Sequence, residues 1–314
     1  YIFHPLTRPD FMYTKLNSEF PEGGKLLESY NFGKENEQVE VNIFGYDESI
    51  KNLYHVTPPE MKLLEEEYEL LDDAKRILSE HKPTKEEFVD PEMMREVFFN
   101  ISKDLINDLS TSKNIKLSDK KVNQLANALL RYTVGFGLIE TLLSDPKIQD
   151  VNINSPNGEL PIFIVHQDYG DCDTNVYPTP TEVDSWATKL RLISGRPLDE
   201  ANPILDTEIT TASFTARISA VTAPLDPFGL GFSFRRHRDH PWTFPLYIQP
   251  KVRMMNSMAA GLLSFLIDGN VAMLIAGTRS SGKSSFLGSA LVEIMRRYRI
   301  ITIEDTLELP TRSL

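Results

Sequence analysis

Residues 271–306 read VAMLIAGTRSSGKSSFLGSALVEIMRRYRIITIEDT, and the reading of this stretch decides the fold. Its centre, Gly277-Thr278-Arg279-Ser280-Ser281-Gly282-Lys283-Ser284, matches the phosphate-loop pattern G-x-x-x-x-G-K-[ST]. An apolar run, 271–276, precedes the loop as a buried strand should. Phe286, Leu287, Ala290, Leu291 and Ile294 follow at helical spacing. Strand, glycine-rich loop and helix in that order are the context such a loop requires.

The chemistry demands these residue types. A triphosphate carries several negative charges, and a Cβ beside it would hold the backbone away. Gly277 and Gly282 permit the left-handed turns that aim successive N–H groups inward. The helix beginning near Lys283 adds its positive dipole end. Thr278, Arg279, Ser280, Ser281 and Ser285 complete the cradle for ATP. Lys283 is expected to bridge the β- and γ-phosphates, and the Ser284 hydroxyl to ligate Mg²⁺.

A second strand is expected over 299–303, ending in Glu304-Asp305-Thr306-Leu307-Glu308. Carboxylates at the end of a parallel strand sit where open α/β sheets bind ligands. Glu304 and Asp305 are therefore candidates to hold Mg²⁺ through water or to polarise the attacking water. Standing alone, the same residues would read as a solvated acidic turn.

Composition bounds the alternatives. With 314 residues the chain has room for two or three domains. Its net charge of −12 argues against a general nucleic-acid surface. The single Cys172 excludes an intrachain disulfide and a cysteine zinc site, and suits a reducing compartment. The histidines show no metal-ligand spacing, and no apolar run reaches membrane-spanning length. These features suit a cytosolic protein without direct membrane insertion.

Upstream, residues 1–56 form a strand- and turn-rich region, with Val39-Glu40-Val41-Asn42-Ile43-Phe44 alternating as a strand. Residues 57–134 carry three amphipathic helical patterns and read as a helical bundle. The acidic run Glu65, Glu66, Glu67, Asp72 and Asp73 reads as its solvated face. Strands interleaved with helices over 135–240 predict a compact α/β sandwich. Pro241, Pro245 and Pro250 mark 241–250 as a linker. Residues 251–314 then begin a RecA-like phosphate-loop domain. The fold class is α/β.

Three stretches resemble the secretion and motility ATPases of type II secretion, type IV pili and the archaellum. GFGLIETLLSDPKIQDVNIN is similar to the entry of that family's N-terminal α/β domain. ARISAV with GFSFRRHRDHP is similar to that domain's last, arginine-bearing strands. The phosphate loop with TIEDTLELP is similar to the Walker A motif and aspartate box. The helical region and the PIFIVHQDYG run look most like the archaeal branch.

The resemblance implies a homo-hexameric ring that binds ATP and Mg²⁺ between two domains and drives filament assembly, secretion or rotation. Its place would be cytoplasmic, peripheral to the inner face of the cell membrane, against a membrane platform protein and without nucleic acid. Arginines of the N-terminal domain would reach the phosphates. The matching positions are Arg217 and Arg235, with Arg236 or Arg238 as neighbours. The family's Walker B glutamate lies beyond the aspartate box, and the sequence ends at Leu314 before it. Residues 1–314 are therefore expected to be a fragment that hydrolyses ATP poorly alone. The other readings are a docking module for the platform, a DNA-transfer motor and a GTPase, the last disfavoured by the lack of an N-K-x-D motif.

Overall fold

The computed structural model describes residues 14–17, 20–21, 23–33, 37–46, 49–80, 91–211, 213–237, 241–278, 281–304 and 309. The side chains of 79, 80 and 91–93 lie outside that description. The chain divides into two units, Tyr1–Arg236 and His237–Leu314.

In the first unit, apolar/polar alternation builds strands, nine of which gather into one sheet while two others pair separately. The elements are β1 (Lys15–Leu16), β2 (Lys25–Phe32), β3 (Val39–Gly45), β4 (Asn52–Thr57), α1 (Glu65–Glu80), α2 (Pro91–Ser112), α3 (Asp119–Thr133) and α4 (Leu138–Ser144). They continue as β5 (Ile148–Ile153), β6 (Phe163–His166), β7 (Gly170–Thr174), β8 (Val176–Tyr177), α5 (Pro180–Ser194), β9 (Ile204–Thr210), β10 (Thr215–Val221) and β11 (Gly231–Arg236). Nine strands form one mixed sheet in the order β2-β3-β4-β7-β6-β5-β11-β10-β9. All neighbours are antiparallel except β4 and β7, whose parallel ladder sets Tyr54 beside Thr174. The sheet therefore does not stop at residue 135. The strands of the N-terminal region extend it, and one hydrophobic core runs from β3 through the bundle to β11.

The helices form where the apolar spacing places them. Ser118 caps α3, its Oγ accepting from the Lys121 N–H at 3.3 Å, and Leu125 and Ala126 on that helix are fully buried. Arg95 of α2 grips Glu140 of α4 through two parallel hydrogen bonds of 2.9 Å, and Glu140 also accepts from the Phe136 N–H. This ties the bundle to the segment that leads into β5. Trp186 of α5 packs edge-on against Phe232 of β11, with ring centroids 6.4 Å apart. A buried tryptophan of this kind contributes about 3–5 kcal/mol relative to alanine.

The helices cover one face of β5, β10 and β11, which presents Val151, Ile153, Ala216, Ile218, Ala220, Phe232 and Phe234. Period-two alternation puts Asp150, Asn152, Arg217, Ser219, Ser233 and Arg235 on the other face. The pleat thus decides which arginines face away from the core.

The second unit holds α6 (Phe244–Ile248), α7 (Ser257–Asp268) and α8 (Lys283–Val292). The proline-rich stretch read as a linker carries α6. Its Phe244 and Tyr247 are buried and stack on Phe286 of α8, at 5.9 and 6.3 Å between ring centroids. Aromatic surface overrides the prolines here, because Pro245 sits in the first turn, where its missing N–H is no loss. Residues 271–276, expected as a buried strand, and 299–303, expected as a second strand, form no strand. Val271 is 49% exposed, Leu274 92% and Ile303 97%. A strand exists only through its ladder, and among the described residues neither segment has one.

Candidate nucleotide site

The turn expected to bind phosphate leads through Gly282 into α8. Gly282 is the helix N-cap, in the left-handed region at φ 81°. A residue with a Cβ would be strained by about 1–2 kcal/mol in that conformation. Among the described residues, an added Cβ at Gly282 would meet nothing within 4 Å. At Gly277 it would lie 2.6 Å from the Ser281 Oγ, so the loop closes tightly there. The Ser281 N–H reaches the Thr278 carbonyl at 3.4 Å, and the Phe286 N–H bonds the Gly282 carbonyl at 2.8 Å to start the helix.

Lys283 folds back over this turn. Its ammonium donates to the Thr278 carbonyl. Ser284 and Ser285 are exposed in the first turn of α8. A helix start, a left-handed glycine and a lysine at one turn suit a phosphate group. The Ser284 hydroxyl fits a hard cation that draws its other ligands from phosphate and water, as Mg²⁺ does. Among the described residues no cluster of three or more His, Cys, Asp or Glu side chains could hold a metal by itself.

The structure brings Gly277, Thr278, Ser281, Gly282, Lys283, Ser284 and Ser285 together at one turn. Arg279, Ser280 and Asp305 lie outside the described residues. Glu304 is half-buried, and its carboxylate accepts from the Leu309 N–H at 3.0 Å.

Arg217 and Arg235 belong to the first unit. They stand directly opposite each other across β10 and β11. Arg235 Nε donates to Asp150 Oδ1 at 2.8 Å, and Arg217 Nη2 lies 4.0 Å from Asp206 Oδ1. Arg236 is different. It is buried, and its Nε donates to the Leu143 carbonyl at 2.8 Å, at the end of α4. A cation satisfying the last carbonyls of a helix is a structural contact. Arg238 lies outside the described residues.

Sequence reasoning passed over Asp150 and Glu208. The signal was there: Asp150 shares the alternating face of IQDVNIN that the arginines continue on β11. It also passed over buried charges at the bundle junction. Burial pushes the Glu182 carboxyl up to about 7, although Thr14 donates to it, and pushes the Lys189 ammonium down to about 8. The Lys189 ammonium donates to the Gly135 carbonyl.

No family model matches the chain. An uncharacterised protein of Methanocaldococcus jannaschii is 29% identical over 203 residues, which cover 63% of this chain and 27% of that protein. A second from the same organism is 26% identical over 196 residues, covering 62% and 34%. A Mycobacterium tuberculosis H37Rv protein, provisionally named a conjugal transfer protein, is 28% identical over 200 residues, covering 62% and 55%. The chain thus spans between 27% and 55% of the length of these relatives. The X-ray structure of the Legionella pneumophila ATPase DotB overlaps 49% of this chain and 40% of its own, at 18% identity and a TM-score of 0.29. An overlap of that size carries no argument about fold. No helix among the described residues is long and apolar enough to cross a membrane.

Proposed function

We propose that this protein is a phosphate-loop ATPase of the secretion and motility class, in which 277–285 bind the triphosphate of ATP. One observation carries the reading: the left-handed Gly282 opens directly into α8 while Lys283 lies across the turn. On binding, Lys283 exchanges a neutral carbonyl for β- and γ-phosphate oxygens, a stronger charge-assisted partner. Ser284 would hold Mg²⁺, which neutralises phosphate charge and orients the γ-phosphate for in-line attack. Glu304 and Asp305 are assigned to the metal's water or the attacking water. Arg217 and Arg235 are assigned to the transferring phosphoryl group, where a guanidinium stabilises developing charge.

In this reading the protein works as a cytoplasmic homo-hexamer on a RecA-like nucleotide fold. It docks on a membrane platform protein and turns ATP hydrolysis into filament assembly or protein secretion, without nucleic acid. The similarity to M. jannaschii proteins supports the archaeal branch. The name of the mycobacterial relative favours a second reading, a motor for conjugal transfer. Phosphate release by the purified full-length protein, with Lys283→Ala beside it, tests the enzyme. Magnesium-dependent turnover lost in the variant supports the reading, and equal turnover in both refutes it. Single-stranded DNA that raised turnover severalfold would favour the second reading.

A further inference from the structure

We infer that a small cavity between Glu60 and α3 binds one water molecule. Glu60, Glu37, Arg131 and Gln124 hold this water, and it completes the joint between the N-terminal strands and the helical bundle. The cavity has room for a single water-sized molecule. Its walls include Glu37 and Glu60 and, from α3, Gln124, Leu125, Ala128 and Arg131. Glu60 belongs to the short 3-10 turn Pro59–Lys62 after β4, and Glu37 to the connection between β2 and β3. Three segments distant in sequence thus meet at one point.

Glu60 is 2% exposed and fixed at both ends. Tyr68 of α1 donates to its carbonyl, and Arg131 donates to its Oε1. The other carboxylate oxygen, Oε2, is buried and has no hydrogen-bond partner among the described residues. A buried carboxylate oxygen left without a donor costs more than a neutral group in the same place. Turning the side chain to seek one would give up the Arg131 bond. Arg131 Nη2 lies 3.6 Å from Glu37 Oε2, longer than a direct hydrogen bond, and a polar gap of that kind suits a shared water. Asn127 already donates to Glu37 Oε1 at 2.7 Å, which leaves Oε2 to receive it.

Water fits this set better than a metal ion or an empty space. Two carboxylates against one guanidinium leave acceptors in excess, so the guest must donate. Beside the Arg131 guanidinium and the Gln124 amide it must also accept. Water does both. A metal ion accepts no hydrogen bond, and the positive charge of Arg131 stands against it. Cavities that stay dry are walled by apolar side chains, whereas this one carries two carboxylates.

A crystal structure of the full-length protein, fine enough to show ordered solvent, gives the direct test. One water is expected within hydrogen-bond distance of Glu60 Oε2 and of at least one of Glu37, Gln124 and Arg131. An empty site, a second direct bond from Arg131 to Glu60 Oε2, or a guest with the short, oxygen-only contacts of a metal ion overturns the inference. Gln124→Met gives a check in solution, because methionine keeps the length of the side chain and removes its amide. Loss of one of the water's partners should lower the thermal midpoint of the first unit by about 2–4 °C, the shift expected for a single hydrogen bond in a domain of this size. A dry cavity would accept the thioether without loss, so an unchanged or raised midpoint also overturns the inference.

Discussion

Replacing Asp145 with alanine should unfold the first unit at a markedly lower denaturant concentration. Asp145 follows α4, is fully buried, and gathers three segments. Its Oδ2 accepts from Tyr30 of β2 at 2.5 Å and from Tyr54 of β4 at 2.8 Å, and its Oδ1 accepts from the Lys147 N–H at 2.9 Å. The Asp168 N–H donates to His166 Nδ1, so the ring proton lies on Nε2, 3.2 Å from the Tyr30 hydroxyl. Burial first, and then the Asp145 charge, keep both phenols protonated, raising them above the ordinary tyrosine range. A hydrogen bond to a charged group is worth about 1.5–3 kcal/mol, and a stranded buried hydroxyl costs about 1–3. Partial relaxation keeps the total below the sum, so Asp145→Ala should cost about 3–5 kcal/mol. Asp145→Asn, which keeps one acceptor, should cost about half of that, and Tyr54→Phe about 1–2 kcal/mol. Urea unfolding followed by Trp186 fluorescence in a Trp242→Phe background reports the first unit alone, because Trp242 lies in the second. An Asp145→Ala variant within about 0.5 kcal/mol of that background, the range of inert surface changes, would refute the reasoning.

Glu182 makes stability depend on pH. Its folded pKa, pushed up to about 7 by burial, exceeds the ordinary 4.5, so the folded state binds the extra proton between those values. Its contribution is complete below about pH 4.5 and is lost as pH rises through about 7. The thermal midpoint of Glu182→Gln relative to the native protein should therefore climb from pH 5 to 7.5, and a constant difference contradicts the assignment. Gly282→Ala should weaken nucleotide binding about tenfold through backbone strain, since among the described residues an added Cβ meets nothing within 4 Å. Calorimetric titration that gave the native affinity would show that the left-handed turn is dispensable.

Local chemistry was legible in the sequence, and long-range pairing was not. Glycine spacing announced the turn at Gly282, Ser118 announced α3, and the apolar stripe from Val122 to Leu130 announced its buried face. These signals lie within a few residues of what they specify. The ladder between β4 and β7 joins residues about 120 positions apart, and nothing in Asn52-Leu53-Tyr54 names its partner. The N-terminal strands thus read as a separate region, although they extend the sheet. Residues 271–276 show the converse: an apolar run states a need for burial but cannot supply the neighbour that makes it a strand. On β10 and β11, the arginines were visible as residue types. The carboxylates that flank them were not singled out, because only strand register brings Asp150 and Glu208 into their row.

Equilibrium binding of ATP with Mg²⁺ to the full-length protein, native against Lys283→Ala, tests the central claim most directly. Loss of a charge-assisted bond of about 2–3 kcal/mol predicts an affinity roughly 30- to 150-fold lower in the variant. Equal affinity in the two proteins would contradict the account.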